Sequence, residues 1–372
     1  MRQGISTSFL EGTSLRQNNR VRLRLEALED RAVPAVLQVN PAIPTAFPTI
    51  QSAINAAQPG DTINVAHASY FEDVVIDRSV SLIGQPDPLT HQNPFIVGNG
   101  GGGGLEAVVR IANGVSNVTI QNFAIGDGEG QQQVQVGVLI GVGASNVNLN
   151  HDVIRKVRNP LVAMAAPATT DGILVESTAH NITITSVALY DIPDPPGTNI
   201  AVGIAVNGAN QVSISHTFAD EVGDIGFLIS GAATGVNLSA DSVGQTLSGS
   251  GIGFLVQGSA QVTLYHDKVY QLPGTSIGLR VGGSAQVTAT KDEFTENAFG
   301  VQVQAGFSGS LTLSNSNIDG NTQAGIDNLS TVLVTATGDW WGDPTGPAPQ
   351  GLGNAVIGPV DVSTWLIVPA VK

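Results

Sequence analysis

The residues with the strongest claim to chemistry are carboxylates that recur at a fixed interval. Asp241, Asp267 and Asp292 are spaced by about two dozen residues, and each follows an alternating apolar/polar run, as in TLYHDKV (263–269). Such carboxylates meet only if the chain returns to the same place after each interval. Oxygen ligands on three neighbouring rungs would suit Ca²⁺, the one cofactor the pattern suggests. His266 precedes Asp267, so the two read first as a general-base pair. A second set mixes signs. Arg155, Lys156 and Arg158 form a basic cluster, and Asp127, Glu129, Asp171, Asp191 and Asp194 lie in segments near it. A cation that neutralises a uronate, beside a carboxylate that takes the neighbouring proton, would serve a polysaccharide lyase. Paired carboxylates would instead hydrolyse a glycoside. Asp191, Asp194, Arg155 and Arg158 are the catalytic candidates.

The elements that must position these side chains repeat. Copies begin at AVVRIANGVSNVTIQNFAI (107), GVLIGVGASNVNLNHDVI (137), GILVESTAHNITITSVAL (172), GIAVNGANQVSISHTFA (203) and GFLISGAATGVNLSADSV (226). Four more follow: GFLVQGSAQVTLYHDKV (253), GLRVGGSAQVTATKDEF (278), GVQVQAGFSGSLTLSNSNI (300) and GIDNLSTVLVTATGDWW (325). Each holds two short alternating strands joined by a Gly/Asn/Ser turn, then a third apolar position. Period 2 inside a longer period of roughly 25 is neither a helical nor a leucine-rich repeat. It predicts an all-β solenoid, a parallel β-helix of about ten coils in which each coil buries its inward face on the next. A short helix over 47–58, with Ile50, Ile54 and Ala57 on one stripe, would plug the first coil. GDWWGDPTGP (338–347) would close the last, its prolines barring further pairing. The solenoid then spans 37–347, preceded by a basic leader (1–36) and followed by an extension (348–372).

Counting from the first apolar residue of each second strand aligns two columns. Four places on stand Asn122, His151, Ser186, His216, Ala240, His266, Lys291 and Asn315. Alternation puts this column in phase with the inward residues, a turn ladder in which His266 is one rung rather than half of a dyad. Five places on stand Phe123, Asp152, Val187, Thr217, Asp241, Asp267, Asp292 and Ser316. This column is expected on the outside, as an acidic stripe relieved by Lys291 and water. Carboxylates ~5 Å apart repel by roughly 0.8 kcal/mol in water and about 3 at an effective dielectric of 20; Ca²⁺ would also relieve that. Extra residues at 126–136, 155–171 and 191–202 fall at the same corner of successive coils, so they project side by side and would wall a groove.

Composition narrows the partners. The net charge is −15, and residues 1–36 carry six Arg against four acids, leaving the rest at −17. So acidic a body repels phosphate backbones, which argues against nucleic acid. No apolar run approaches the ~18 residues of a membrane span. With no cysteine there are neither disulfides nor thiolate metal sites. Aromatics are 5% of a chain that is 42% hydrophobic, so Val, Ile, Leu and Ala must build the core.

FPTIQSAINAAQPGDTINVAHASYFEDVVIDRSVSLIG (47–84) resembles the opening of right-handed parallel β-helix proteins of the pectin-lyase-like superfamily. It is most similar to bacterial members related to the periplasmic copper-processing NosD proteins, departing at Ala68 (usually Gly) and Arg78 (usually Lys). DWWGDPTGP (339–347) resembles their closing element, with Asp339 in place of Asn. LRLEALEDRAVPA (23–35) resembles leaders of certain bacterial surface proteins, which implies export. The resemblance implies a right-handed fold. It leaves function open between lyases, hydrolases, epimerases, adhesins and scaffolds. Known enzyme motifs of the superfamily are missing, and copper is poorly served by no Cys, two Met and dispersed His. The leading expectation is a secreted or surface β-helix that binds a polysaccharide or another extracellular partner. The alternative is a lyase or hydrolase acting on an acidic polysaccharide in the loop groove.

Overall fold

A computed structural model describes residues 33–99, 107–127, 134–158, 169–194 and 200–370. The expected leader lies outside the described residues up to position 32, as do Glu129 and the glycines at 100–104. The unit Pro34–Lys372 is built from three parallel sheets of thirteen, nine and twelve strands, here called A, B and C. Between the two ends of the solenoid no strand pairs with its neighbour in the chain; only the end pairs, Val36–Val39 with Asp61–Ala66 and Pro347–Ala348 with Gly353–Ile357, are consecutive. Each pairs with its counterpart one coil on: Val262 with Val287 in sheet A, Val269 with Phe294 in B, Leu279 with Val301 in C. The chain runs C, A, B and back to C, giving a parallel solenoid of about eleven turns where the repeat predicts about ten, right-handed as the resemblance implies.

The glycine that opens every copy from 137 onward, and is absent from the copy at 107, has a steric cause. Gly137, Gly172, Gly203, Gly226, Gly253, Gly278, Gly300 and Gly325 stack on one another in sheet C. A Cβ on Gly203 would stand 2.5 Å from the carbonyl oxygen of Gly226, and one on Gly278 2.5 Å from that of Gly300. Such close approach of one coil's backbone to the next admits glycine alone. Within, Val, Ile and Leu form one continuous core. Each side chain so buried stabilises the fold by about 1.5–3 kcal/mol.

The N-terminal plug forms as the stripe predicts. Helix α1 (Ile50–Ala56) is capped by Thr49, whose hydroxyl accepts from the Ser52 amide, and buries Ile50, Ala53 and Ile54. Its next free amides are met from a distance: Glu72 accepts from Ile50 N at 2.8 Å and Gln51 N at 2.9 Å. Carboxylate charge at a helix start offsets orphaned donors. At the other end, Trp341 enters the core, but pairing does not stop at Pro347. Val356 pairs with Ile326 and Val360 with Val334, so part of the expected extension continues the solenoid. Prolines block only the positions they occupy, and the chain resumes its ladder beyond them.

Candidate functional site

The two aligned columns change places relative to expectation. Asn122, His151, Ser186, His216, Ala240, His266, Lys291 and Asn315 all have φ between 53° and 62°. A left-handed residue there turns the chain from sheet A to sheet B and breaks the period-2 alternation. His151 and His216 therefore face outward, and His266 is only half-buried. The next residue swings inward. Asp152, Asp241, Asp267 and Asp292 are buried, with Asp339 continuing the column. The exposed acidic stripe is thus corrected to an internal one. Lys291 does not relieve it, for its amine lies over the Tyr265 ring and 3.3 Å from the hydroxyl.

Backbone amides occupy most of these oxygens. Asp267 accepts from Asp241 N at 2.8 Å and Tyr265 N at 3.1 Å; Asp241 accepts from Thr217 N at 2.8 Å and Ser239 N at 3.1 Å. Asp292 accepts from Asp267 N at 2.9 Å, while its second oxygen lies near the Thr290 amide without reaching hydrogen-bonding geometry. Burial pushes all three carboxyls up, from 3.8 to about 8 for Asp241 and Asp292 and about 7 for Asp267. The Asp267 charge adds to the rise of the two outer ones. The amides pull the other way and lose to desolvation. The column is a structural ladder. Among the described residues no group of three or more acids or histidines is disposed to hold a metal ion.

The mixed-charge candidates separate. Arg158 donates to both oxygens of Asp191, at 2.9 and 3.1 Å, on the surface. Asp194 accepts from Ala201 N at 3.1 Å and is pushed up to about 6 by burial, then by its contact with Asp224. Gly223 leaves the room that Asp194 fills. Asp171 is buried in sheet C beside Thr169, whose hydroxyl donates to it at 2.9 Å, and burial raises it to about 7. Arg155 points elsewhere. Its guanidinium lies 4.8 Å from the centroid of the Phe95 ring, on the outer face of sheet B.

Arg155 there lines a cleft of about 480 Å³ with His67, His91, Gln92, Asn93 and Phe95. The wall carrying His91 is held by Asp87, which accepts from Leu89 N at 2.9 Å and Thr90 N at 2.7 Å. His91 N in turn donates to Asp87 O at 2.8 Å. Asp87 Oδ2 also lies 3.8 Å from His67 Nδ1. A fixed guanidinium, two imidazoles and two amides over an aromatic floor can hold an anionic group and a flat ring together. His67, His91 and Asp224 are not among the sequence candidates. One signal did exist: DPLTHQNP (87–94) inserts turn-forming residues at a corner where later coils use a two-residue turn.

Helical pairing, stacked glycines and the inward ladder define the class: a right-handed parallel β-helix protein. Residues 171–339 match the family described as right handed beta helix region. Solved structures agree in fold. The A-module of the mannuronan C-5 epimerase AlgE6 from Azotobacter vinelandii aligns at 17% identity with a TM-score of 0.56, over 77% of this chain and 74% of that one. The tailspike gp49 of Acinetobacter baumannii bacteriophage Fri1, a capsular polysaccharide depolymerase, aligns at 11% and 0.54, over 91% and 62%. A rhamnogalacturonan lyase aligns at 12% and 0.50, over 90% and 87%. No curated protein matches the sequence. The chain has the right-handed parallel β-helix fold.

Proposed function

We propose that this is an exported β-helix protein that binds an acidic polysaccharide across the outer face of sheet B. The observation that carries the reading is the cleft of Arg155, His67 and His91 over Phe95. In a chain of net charge −15, long-range attraction cannot draw in a polyanion, and salt screens the repulsion beyond about 8 Å. Recognition then rests on short-range contacts, which a planar guanidinium makes bidentately with a uronate carboxylate. The aromatic floor gives the sugar ring an apolar support. The nature of the structural neighbours, a mannuronan C-5 epimerase and a capsular polysaccharide depolymerase among them, is consistent with such a ligand.

A lyase or hydrolase acting in the groove walled by the loops at 126–136, 155–171 and 191–202, parts of which lie outside the described residues, is the second reading. It is favoured by one feature, Asp194, which burial and then the contact with Asp224 lift to about 6, near the range where a carboxyl exchanges protons at neutral pH. Calorimetric titration of oligouronates into the full chain tests both, with absorbance of unsaturated products followed on the same samples. Binding without absorbance is expected, weakened about tenfold or more by Arg155→Ala, since a charge-assisted contact contributes ~1.5–3 kcal/mol. No heat from any polyuronate, or equal heat from Arg155→Ala, overturns the proposal. Growing absorbance transfers it to the lyase reading.

A further inference from the structure

The outer face of sheet A differs from the other two. Its central outward column is Thr, Ser or Asn on eleven successive strands, from Thr62 and Ser81 to Thr312 and Thr335. None of the residues two places before or after them is Asp, Glu, Lys or Arg. Stacking alone does not demand this. Sheet B carries Arg155, Lys268 and Glu293 on its strands, and sheet C carries Arg110, Arg280 and Asp327. Along these eleven strands charge is excluded from one face of a strongly acidic molecule, and it returns only at the end strand, where Asp361 pairs with Thr335.

We infer that this face docks a neutral, extended polysaccharide laid along the solenoid axis. A charge pressed against an uncharged partner loses its water without compensation, so a face with none is the complement of a neutral polymer. Hydroxyls and amides recur every ~4.8 Å along the axis and roughly 6.7 Å across it, on a backbone that is already rigid. Binding then costs little ordering entropy. The amides are partly aligned beforehand: Asn181 donates to Asn146 at 3.2 Å and Asn146 to Asn117 at 3.0 Å. Two shallow troughs of about 580 and 560 Å³ run along this sheet, one beside Asn117 and Asn146, the other beside Gln261 and Gln286. Next to the second stands Tyr265, 42% exposed. This partly exposed ring, over which the Lys291 amine reaches from the adjoining corner, adds an apolar edge beside the hydroxyls and amides for a sugar to pack on, which neither ice nor a flat second sheet would require.

The test is co-sedimentation of the full chain with insoluble cellulose, chitin and β-1,3-glucan. The wild type is expected to be retained on at least one of them. Ser213→Lys combined with Thr288→Lys places charges on exposed positions three coils apart, and is expected to reduce retention at least tenfold while leaving the thermal midpoint unchanged. Tyr265→Ala is expected to reduce it as well. Arg155→Ala should leave it intact, which keeps this face independent of the cleft. Failure of the wild type to sediment with all three polymers overturns the inference, as does equal retention of the Lys variant. Ice-crystal shaping or self-association lost in that variant, without glycan retention, assigns the face to ice or to a second copy and overturns it equally.

Discussion

Replacing Gly253 by alanine is expected to destabilise the protein by about 3 kcal/mol or more, although it adds a single methyl group. A Cβ at this position would meet both methyls of Val269, one of them at 2.5 Å, and the carbonyl oxygen of Gly278 at 2.7 Å. The valine is in the core and the carbonyl belongs to the next coil, so neither retreats without disturbing the stack. Gly249→Ala is the control. Nothing lies within 4 Å of a Cβ there, and the expected change is within about 0.5 kcal/mol. Thermal and denaturant unfolding of the two variants check the pair. A Gly253→Ala protein as stable as Gly249→Ala would show that the glycine column is not a contact between coils.

The second large effect concerns Asp267. Asp267→Ala strands the buried Asp241 amide and the Tyr265 amide without acceptors, at a cost of roughly 2–5 kcal/mol. The dependence on pH has a definite sign. Burial raises this carboxyl from 3.8 to about 7, and its neighbours to about 8, so the folded chain holds protons that the unfolded chain releases. The contribution of the column to stability is complete below pH 3.8 and is lost as pH rises through about 7 to 8. Asp267→Asn keeps an acceptor for Asp241 N but cannot ionise. Its stability is expected to fall less than that of the wild type between pH 5 and pH 8, and urea titrations at the two values read the difference. Parallel pH profiles, or a wild type that gains on the variant as pH rises, would remove the protonated ladder from the account.

Much of this molecule is legible in its sequence because the fold is repetitive. The period brought Asp241, Asp267 and Asp292 into one column, and the recurring leading Gly marked eight of the twelve strands of sheet C. The stripe of Ile50 and Ile54 gave the plug. What escaped was the direction of the corner. His, Ala, Lys and Ser all occupy the left-handed position, so no residue type announces it, and one unseen inversion exchanged inside for outside in two columns. The cleft escaped for another reason. His67, His91 and Arg155 come from different coils and share no interval, so only the folded chain shows that they converge.

The location of the cleft is tested most directly by amide hydrogen exchange of the full chain with and without a saturating oligouronate. Added protection is expected in the segments 67–69, 91–95 and 153–155, with the strands of sheet A unaffected. Protection confined to other segments, or none at a concentration that gives binding heat, would place the acidic ligand elsewhere and contradict the account.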